Sequence, residues 1–164
     1  MFSFPSHGKE ITYKNFSFSI DHPSDWKEVK DFFGVPVTIL GPYQKNETRP
    51  LVQIIPIGKK GLGLTGPEVK KWNQNHQKNS RAWLEKHGGE LQSIWDGKVE
   101  TKKDGSKQIV AGLTYQLKTK AYYEKIYYVS CPNGFYNLKV LVNQGSKEFV
   151  KPAEKIAESF SCGK

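Results

Sequence analysis

The feature that most constrains the fold is the segment 109–117, where every odd residue (Ile109, Ala111, Leu113, Tyr115, Leu117) is apolar. Strict alternation of this kind is the period of a strand with one buried face. The next two segments, 122–131 and 135–142, are apolar on both parities: Tyr127 stands beside Tyr128, and Leu141 between Val140 and Val142. A strand that is apolar on both sides belongs to a sheet covered on both faces. Between them lies Pro132-Asn133-Gly134, whose Asn-Gly step is a strong hairpin signal. Upstream, 91–101 leads through Lys103-Asp104-Gly105 into the alternating strand. The second half of the chain therefore reads as an antiparallel meander.

The first half supplies more strands. Phe16, Phe18 and Ile20 alternate with Ser17 and Ser19, and the turn 21–25 ends that run with Pro and Asp/Ser chemistry. Strands are expected at 26–33 and 35–40, a surface loop at 41–50, and a further strand at 51–57 with Pro56 near its end. The helix signal is strongest after the glycine-rich stretch 58–66. Thr65 or Gly66 can cap it, Pro67 and Glu68 suit its first turn, and Gly88-Gly89 stops it. Val69, Trp72, His76, Ser80, Trp83 and His87 share one stripe, so the helix should pack through both tryptophans. Phe149, Val150, Ala153, Ile156, Ala157 and Phe160 keep helical spacing near the end, with Pro152 starting that helix. The fold class is α+β: a flexible segment 1–12, then one domain over 13–164 with the meander between two helices.

Charge bounds the partners. The 164 residues carry a net charge of +9, which favours anionic partners such as an acidic protein or an anionic membrane surface. Of the 25 bases only Arg49 and Arg81 are arginines, and a lysine-rich surface lacks the planar forks that read nucleic-acid bases. Specific nucleic-acid binding is not expected. No apolar run is long enough for a membrane-spanning helix, and Met1-Phe2-Ser3-Phe4-Pro5 lacks the pattern of a signal peptide. Cys131 and Cys162 can stand as two separate thiols, the commoner arrangement, or pair and tie the tail to a strand. Their spacing leaves both open.

Catalytic signals are weak. Gly61-Leu62-Gly63-Leu64-Thr65-Gly66 is a literal GxGxxG, but Pro67 starts the helix after the last glycine and Arg81 stands where a dinucleotide site needs an acid. A simple anion or nucleotide site built from Lys59, Lys60, Gly61, Gly63 and Gly66 is the alternative use of this loop. His7, His22, His76 and His87 have no metal-ligand spacing, and His76 reads as a histidine bonded to the sheet. No nucleophile motif or apolar carboxylate pair occurs, so no enzyme, metal or cofactor is expected. Lys70, Lys71, Lys78 and Arg81 form a basic, solvated helix face. The turns near Lys103 and Lys120 fall at opposite ends of a strand, roughly 35 to 40 Å apart, so the lysines form no single track.

Two short motifs carry a resemblance. Within Tyr13-Lys14-Asn15-Phe16-Ser17-Phe18-Ser19-Ile20-Asp21-His22-Pro23-Ser24-Asp25-Trp26 lies an F-x-hydrophobic-x-x-P-x-x-W pattern, and Ile156-Ala157-Glu158-Ser159-Phe160 is an I-x-x-S-F ending. Together they resemble the opening and close of the PsbP/DcrB-like superfamily. The resemblance implies an α/β/α sandwich with a central antiparallel sheet covered by one long mid-chain helix and a C-terminal helix. It also implies a non-catalytic docking domain, as in the photosystem accessory proteins, bacterial envelope proteins and lipoproteins, and Ran-binding branch of that superfamily. An extracytoplasmic site of action would fit a Cys131–Cys162 bridge, with a signal sequence outside the present chain. No lipobox cysteine is recognisable near the start. The expected function is an accessory domain of the cell envelope that binds a protein partner, with an intracellular Ran-binding-type adaptor as the alternative.

Overall fold

The computed structural model describes residues 9–58 and 63–163. In chain order the strands are β1 (Lys9–Tyr13), β2 (Phe16–Ile20), β3 (Lys27–Phe32), β4 (Val35–Leu40) and β5 (Leu51–Ile57). Helix α1 (Gly66–His87) follows, then the meander β6 (Gly89–Thr101), β7 (Lys107–Leu117), β8 (Lys120–Cys131) and β9 (Gly134–Asn143). A 3₁₀ turn at Gln144–Phe149 leads into α2 (Val150–Glu158) and the short β10 (Ser161–Cys162). The large sheet has seven strands in the order β3-β4-β5-β9-β8-β7-β6, every neighbouring pair antiparallel. A second sheet, β1-β2-β10, is also antiparallel. The architecture is the expected α+β sandwich.

The core lies on one face of the large sheet. Val37, Ile39, Val52, Ile54, Leu138 and Val140 are fully buried there, and α2 and the small sheet close over them with Ile156, Phe18 and Ile20. Phe18 stacks on Phe160 with centroids 5.2 Å apart and meets Tyr136 edge-on at 5.6 Å. Each such aromatic pair adds about 1 kcal/mol beyond area burial. Pro152 is the third residue of α2, inside the first turn, where a missing N–H leaves no helix bond unmade. The small sheet is a departure from the expected segment 1–12. Residues 9–12 lie in β1, paired along β2 from Lys9 opposite Ile20 to Tyr13 opposite Phe16, because hydrogen bonding to β2 and burial of Ile11 hold them. Residues 1–8 lie outside the described residues.

Coverage of the other face is uneven. Helix α1 runs over β6 and β7, tied to them by Asn73, His76 and Gln77. β6 carries a bulge between Trp95 and Lys98 that removes Gly97 from the ladder, and Asn73 fills both of its backbone valences. Asn73 Oδ1 accepts the Gly97 N–H at 2.7 Å and Asn73 Nδ2 donates to the Gly97 carbonyl at 3.2 Å. A Cβ at residue 97 would run into Ile109 of β7 and press on Trp72 of the helix, so the bulge needs glycine here. The buried residues of α1 are His76 and Leu84, and Gly88 ends it at φ +70°. The expectation that both tryptophans anchor the helix holds for half-buried Trp72 alone. Trp83 is 44% exposed, because a helix placed over β6 and β7 leaves it beside the sheet, against the edge of Tyr115.

Cys131 in β8 and Cys162 in β10 form a disulfide with Cα atoms 5.5 Å apart. The second arrangement left open by the sequence is the one adopted. By the chain-entropy argument a crosslink spanning 31 residues stabilises the fold by about 3.5 kcal/mol. The double variant C131S/C162S should lose about that much in urea unfolding, and reductant should then have no further effect on it. Asn73→Ala should cost about 1–3 kcal/mol in the same measurement, since the buried Gly97 groups lose both partners.

Candidate functional site

Because α1 sits over β6 and β7, the adjoining face of β7, β8, β9 and β5 stays open beside it. The result is a groove of about 660 Å³. Its floor follows from register: Tyr115 faces Tyr122, Leu113 faces Glu124 and then Leu141, Ile126 faces Lys139, and Tyr128 faces Asn137. Its wall is α1, through Trp72, Asn75, His76, Asn79, Ser80 and Trp83. These are the second-parity residues of β8 and β9, whose apolar character reads in the sequence as a covered face. The cover stops short, and half-buried Tyr122, Ile126 and Leu141 line the opening.

The centre of the floor is polar. Glu124 Oε1 lies 2.8 Å from Lys139 Nζ, with the glutamate side chain 10% exposed and the lysine 41%. A carboxylate removed from water needs several partners, and the Tyr115 hydroxyl is another hydrogen-bond partner of Glu124. Burial, the Glu124 charge and that hydrogen bond together push the Tyr115 hydroxyl far above the ordinary tyrosine range. Beside them the Oδ1 of Asn137 is buried without a hydrogen-bond partner, an acceptor ready for an incoming donor.

His76 occupies the sheet-side position expected of it. Its Nε2 donates to the Gly112 carbonyl at 3.4 Å, its Nδ1 faces the Ser80 hydroxyl at 3.5 Å, and its ring stacks on Trp72. His87 turns back on the Trp83 carbonyl at 2.8 Å, and His22 Nδ1 lies 2.9 Å from the Pro23 carbonyl. His7 lies outside the described residues. Among the described residues no three His, Cys, Asp or Glu side chains converge as a metal site would require.

The glycine-rich loop is described in part: Lys59, Lys60 and Gly61 lie outside the described residues. Gly63 and Gly66 lead into α1 as expected, but the carboxylate of Glu68 folds back against Gly63 and accepts from Thr65 Oγ1 at 3.0 Å. The helix's own acid thus occupies its positive end, where an anion would otherwise sit. Lys70, Lys71, Lys78 and Arg81 are exposed on α1, away from the groove. Sequence reasoning missed Tyr122, Glu124, Asn137 and Lys139 as a group. Their one signal is the polar residues set among apolar ones on the second parity.

A scan of protein-family models gives no match to this chain, and a search of curated proteins gives none either. Solved structures do match. Cyanobacterial PsbP (CyanoP) from Synechocystis aligns over 97% of this chain and 94% of its own, with a TM-score of 0.67 at 11% identity. The chain has a PsbP-like fold. LpqN, involved in cell envelope biogenesis of Mycobacterium tuberculosis, shares it over 95% of this chain and 90% of its own, with a TM-score of 0.60 at 18% identity. A Bacteroides thetaiotaomicron protein matches over 96% of this chain but 49% of its own length, with a TM-score of 0.53 and 18% identity. The PsbP-like architecture expected from the two sequence motifs is therefore present.

The raised Tyr115 ionisation makes a signed prediction. Below the unfolded tyrosine pKa of 10.0 the folded and unfolded chains both keep this proton; above it the unfolded chain releases it first, so stability falls as pH rises. Tyr115→Phe should cost about 1–2 kcal/mol at neutral pH, because Glu124 loses a donor. The gap to the parent should narrow above pH 10 in urea titrations run across that range.

Proposed function

We propose that this chain is a non-catalytic accessory domain of the cell envelope that holds an extended segment of a protein partner in the groove beside α1. The observation that carries this reading is the groove itself: an aromatic-walled opening with a partly exposed lysine and one unsatisfied buried acceptor at its base. Interfaces draw their energy from such aromatic anchors around a few oriented polar groups. Asn137 Oδ1 calls for a donor such as a peptide N–H, and the Lys139 ammonium, held on one side by Glu124 at 2.8 Å and partly exposed, can take a further carboxylate on its open side. The occupant that fits is an acidic peptide segment, in keeping with the net charge of +9.

The Cys131–Cys162 disulfide bears on location. A bridge that adds several kcal/mol persists in oxidising compartments outside the cytoplasm. That supports an extracytoplasmic domain over the reduced interior a Ran-binding-type adaptor would occupy. The involvement of LpqN in cell envelope biogenesis is in keeping with the same reading. The Glu68 carboxylate at the start of α1 weakens the anion-site alternative.

The test places a photo-crosslinking residue at Trp83, in the groove, and at Tyr43, an exposed aromatic outside it. Expected is one discrete protein adduct from position 83, none from position 43, and loss of the adduct when Lys139→Glu is added. Equal adducts from both positions, or an adduct indifferent to Lys139→Glu, would overturn the reading.

A further inference from the structure

The most exposed large apolar residue among the described residues is Phe33, with 90% of its surface in solvent. It sits at the tip of the β3–β4 hairpin. Phe32 and Val35 pair across the strands, so the connection is Phe33-Gly34 alone, with φ of 49° and 79°. A two-residue hairpin loop with both φ values positive is the geometry that Asn-Gly fills best. Phenylalanine there carries a steric penalty that asparagine largely avoids. Its one ring contact is Phe32, edge-on at 4.6 Å, and open space surrounds Gly34. The tip is convex, strained and apolar, and the fold draws no packing from it.

A second hairpin stands alongside. Tyr13, at the end of β1, donates its hydroxyl to Asp31 Oδ1 at 3.1 Å, and Lys30 Nζ donates to the Thr12 carbonyl at 3.4 Å. Lys14 tops this hairpin with its ammonium 5.5 Å from the Tyr13 ring centre. Lys14, Asp31 and Phe33 account for three of the five non-glycine residues with positive φ among those described. Such strain concentrates where a surface is put to use. The register brings the β6–β7 turn, with exposed Lys103 and Lys107, to this same end of the large sheet. Of the acids on this hairpin, Glu28 is neutralised by Lys9 at 3.0 Å, while Asp31 accepts from the Tyr13 hydroxyl and keeps its charge beside Lys14 and Lys30.

We propose that the β3–β4 hairpin is a membrane-docking tip, with Phe33 entering the interfacial layer of an anionic lipid bilayer and Lys14 and Lys30 lying against headgroup phosphates. A projecting aromatic flanked by lysines suits a deformable, negatively charged surface. A protein partner would have to supply a pocket for Phe33, which projects from the hairpin with 90% of its surface in solvent. This surface is separate from the groove, and the proposal stands or falls independently of the peptide reading.

The experiment is flotation of the full chain with vesicles of phosphatidylglycerol mixed into phosphatidylcholine, against phosphatidylcholine alone. Expected is binding to the anionic vesicles that weakens with salt, and little to the neutral ones. The decisive variant is Phe33→Asn, because it should raise the thermal midpoint while lowering vesicle affinity about tenfold. Lys14→Gln with Lys30→Gln should lower affinity about twentyfold at low salt. If Phe33→Asn binds as the parent does, or if the parent ignores anionic vesicles, the proposal fails. Protection of Phe33 by a purified protein without any vesicle binding overturns it in favour of a protein pocket.

Discussion

The open side of this molecule depends on how one helix is moored. A helix laid across a sheet normally centres itself to bury the most apolar area. Here α1 is drawn toward the edge strand by Asn73, whose amide replaces the two ladder bonds that the β6 bulge takes from Gly97. A buried backbone pair left unsatisfied is costly, so the side-chain clamp and the bulge fix each other. The groove follows from that displacement. Tyr122, Ile126 and Leu141 are uncovered because the helix that would have covered them is tied elsewhere.

The two motifs that suggested the fold have a physical meaning in the structure. Phe18 and Trp26 are fully buried, and Phe160 stacks on Phe18 from the far end of the chain. Between them Ser159 Oγ accepts the Asp21 N–H at 2.8 Å and donates to the Ile156 carbonyl at 2.6 Å. The opening and closing segments are thus sewn together by a ring stack and one hydroxyl. In this chain these residues serve assembly, which is why they foretell architecture and are silent about ligands. At 11% and 18% identity, the solved structures share the backbone arrangement and few of the side chains that would define a binding site.

Much of this was legible in the sequence because period and punctuation report it directly. The alternation over 109–117, the hairpin before β9 and the Pro67 start and Gly88 stop of α1 all survive in the structure, although that hairpin turns through Pro132-Asn133 and Gly134 already pairs with Cys131. What escaped depends on partners distant in the chain. β1 contributes one buried side chain, Ile11, and β10 is two residues long, so neither has a period to detect. Gly97 is one glycine among many until Asn73 is seen beside it. The polar floor of the groove was hidden for another reason. Glu124 and Lys139 read as ordinary strand charges, and only register makes them diagonal neighbours on β8 and β9. Phe33 was visible as a residue before a turn glycine, but its exposure is a property of the two-residue loop.

The disulfide also decides how the domain would carry a mechanical load. Tension applied beyond Gly163 would reach Cys162 first and pass through the bridge to Cys131 at the end of β8, two positions in from the β6 edge of the large sheet. The weak two-residue pairing of β10 and the short helix before it are bypassed. Force is then borne by the long ladders that β8 shares with β7 and β9, so the last thirty-odd residues cannot be peeled away one element at a time.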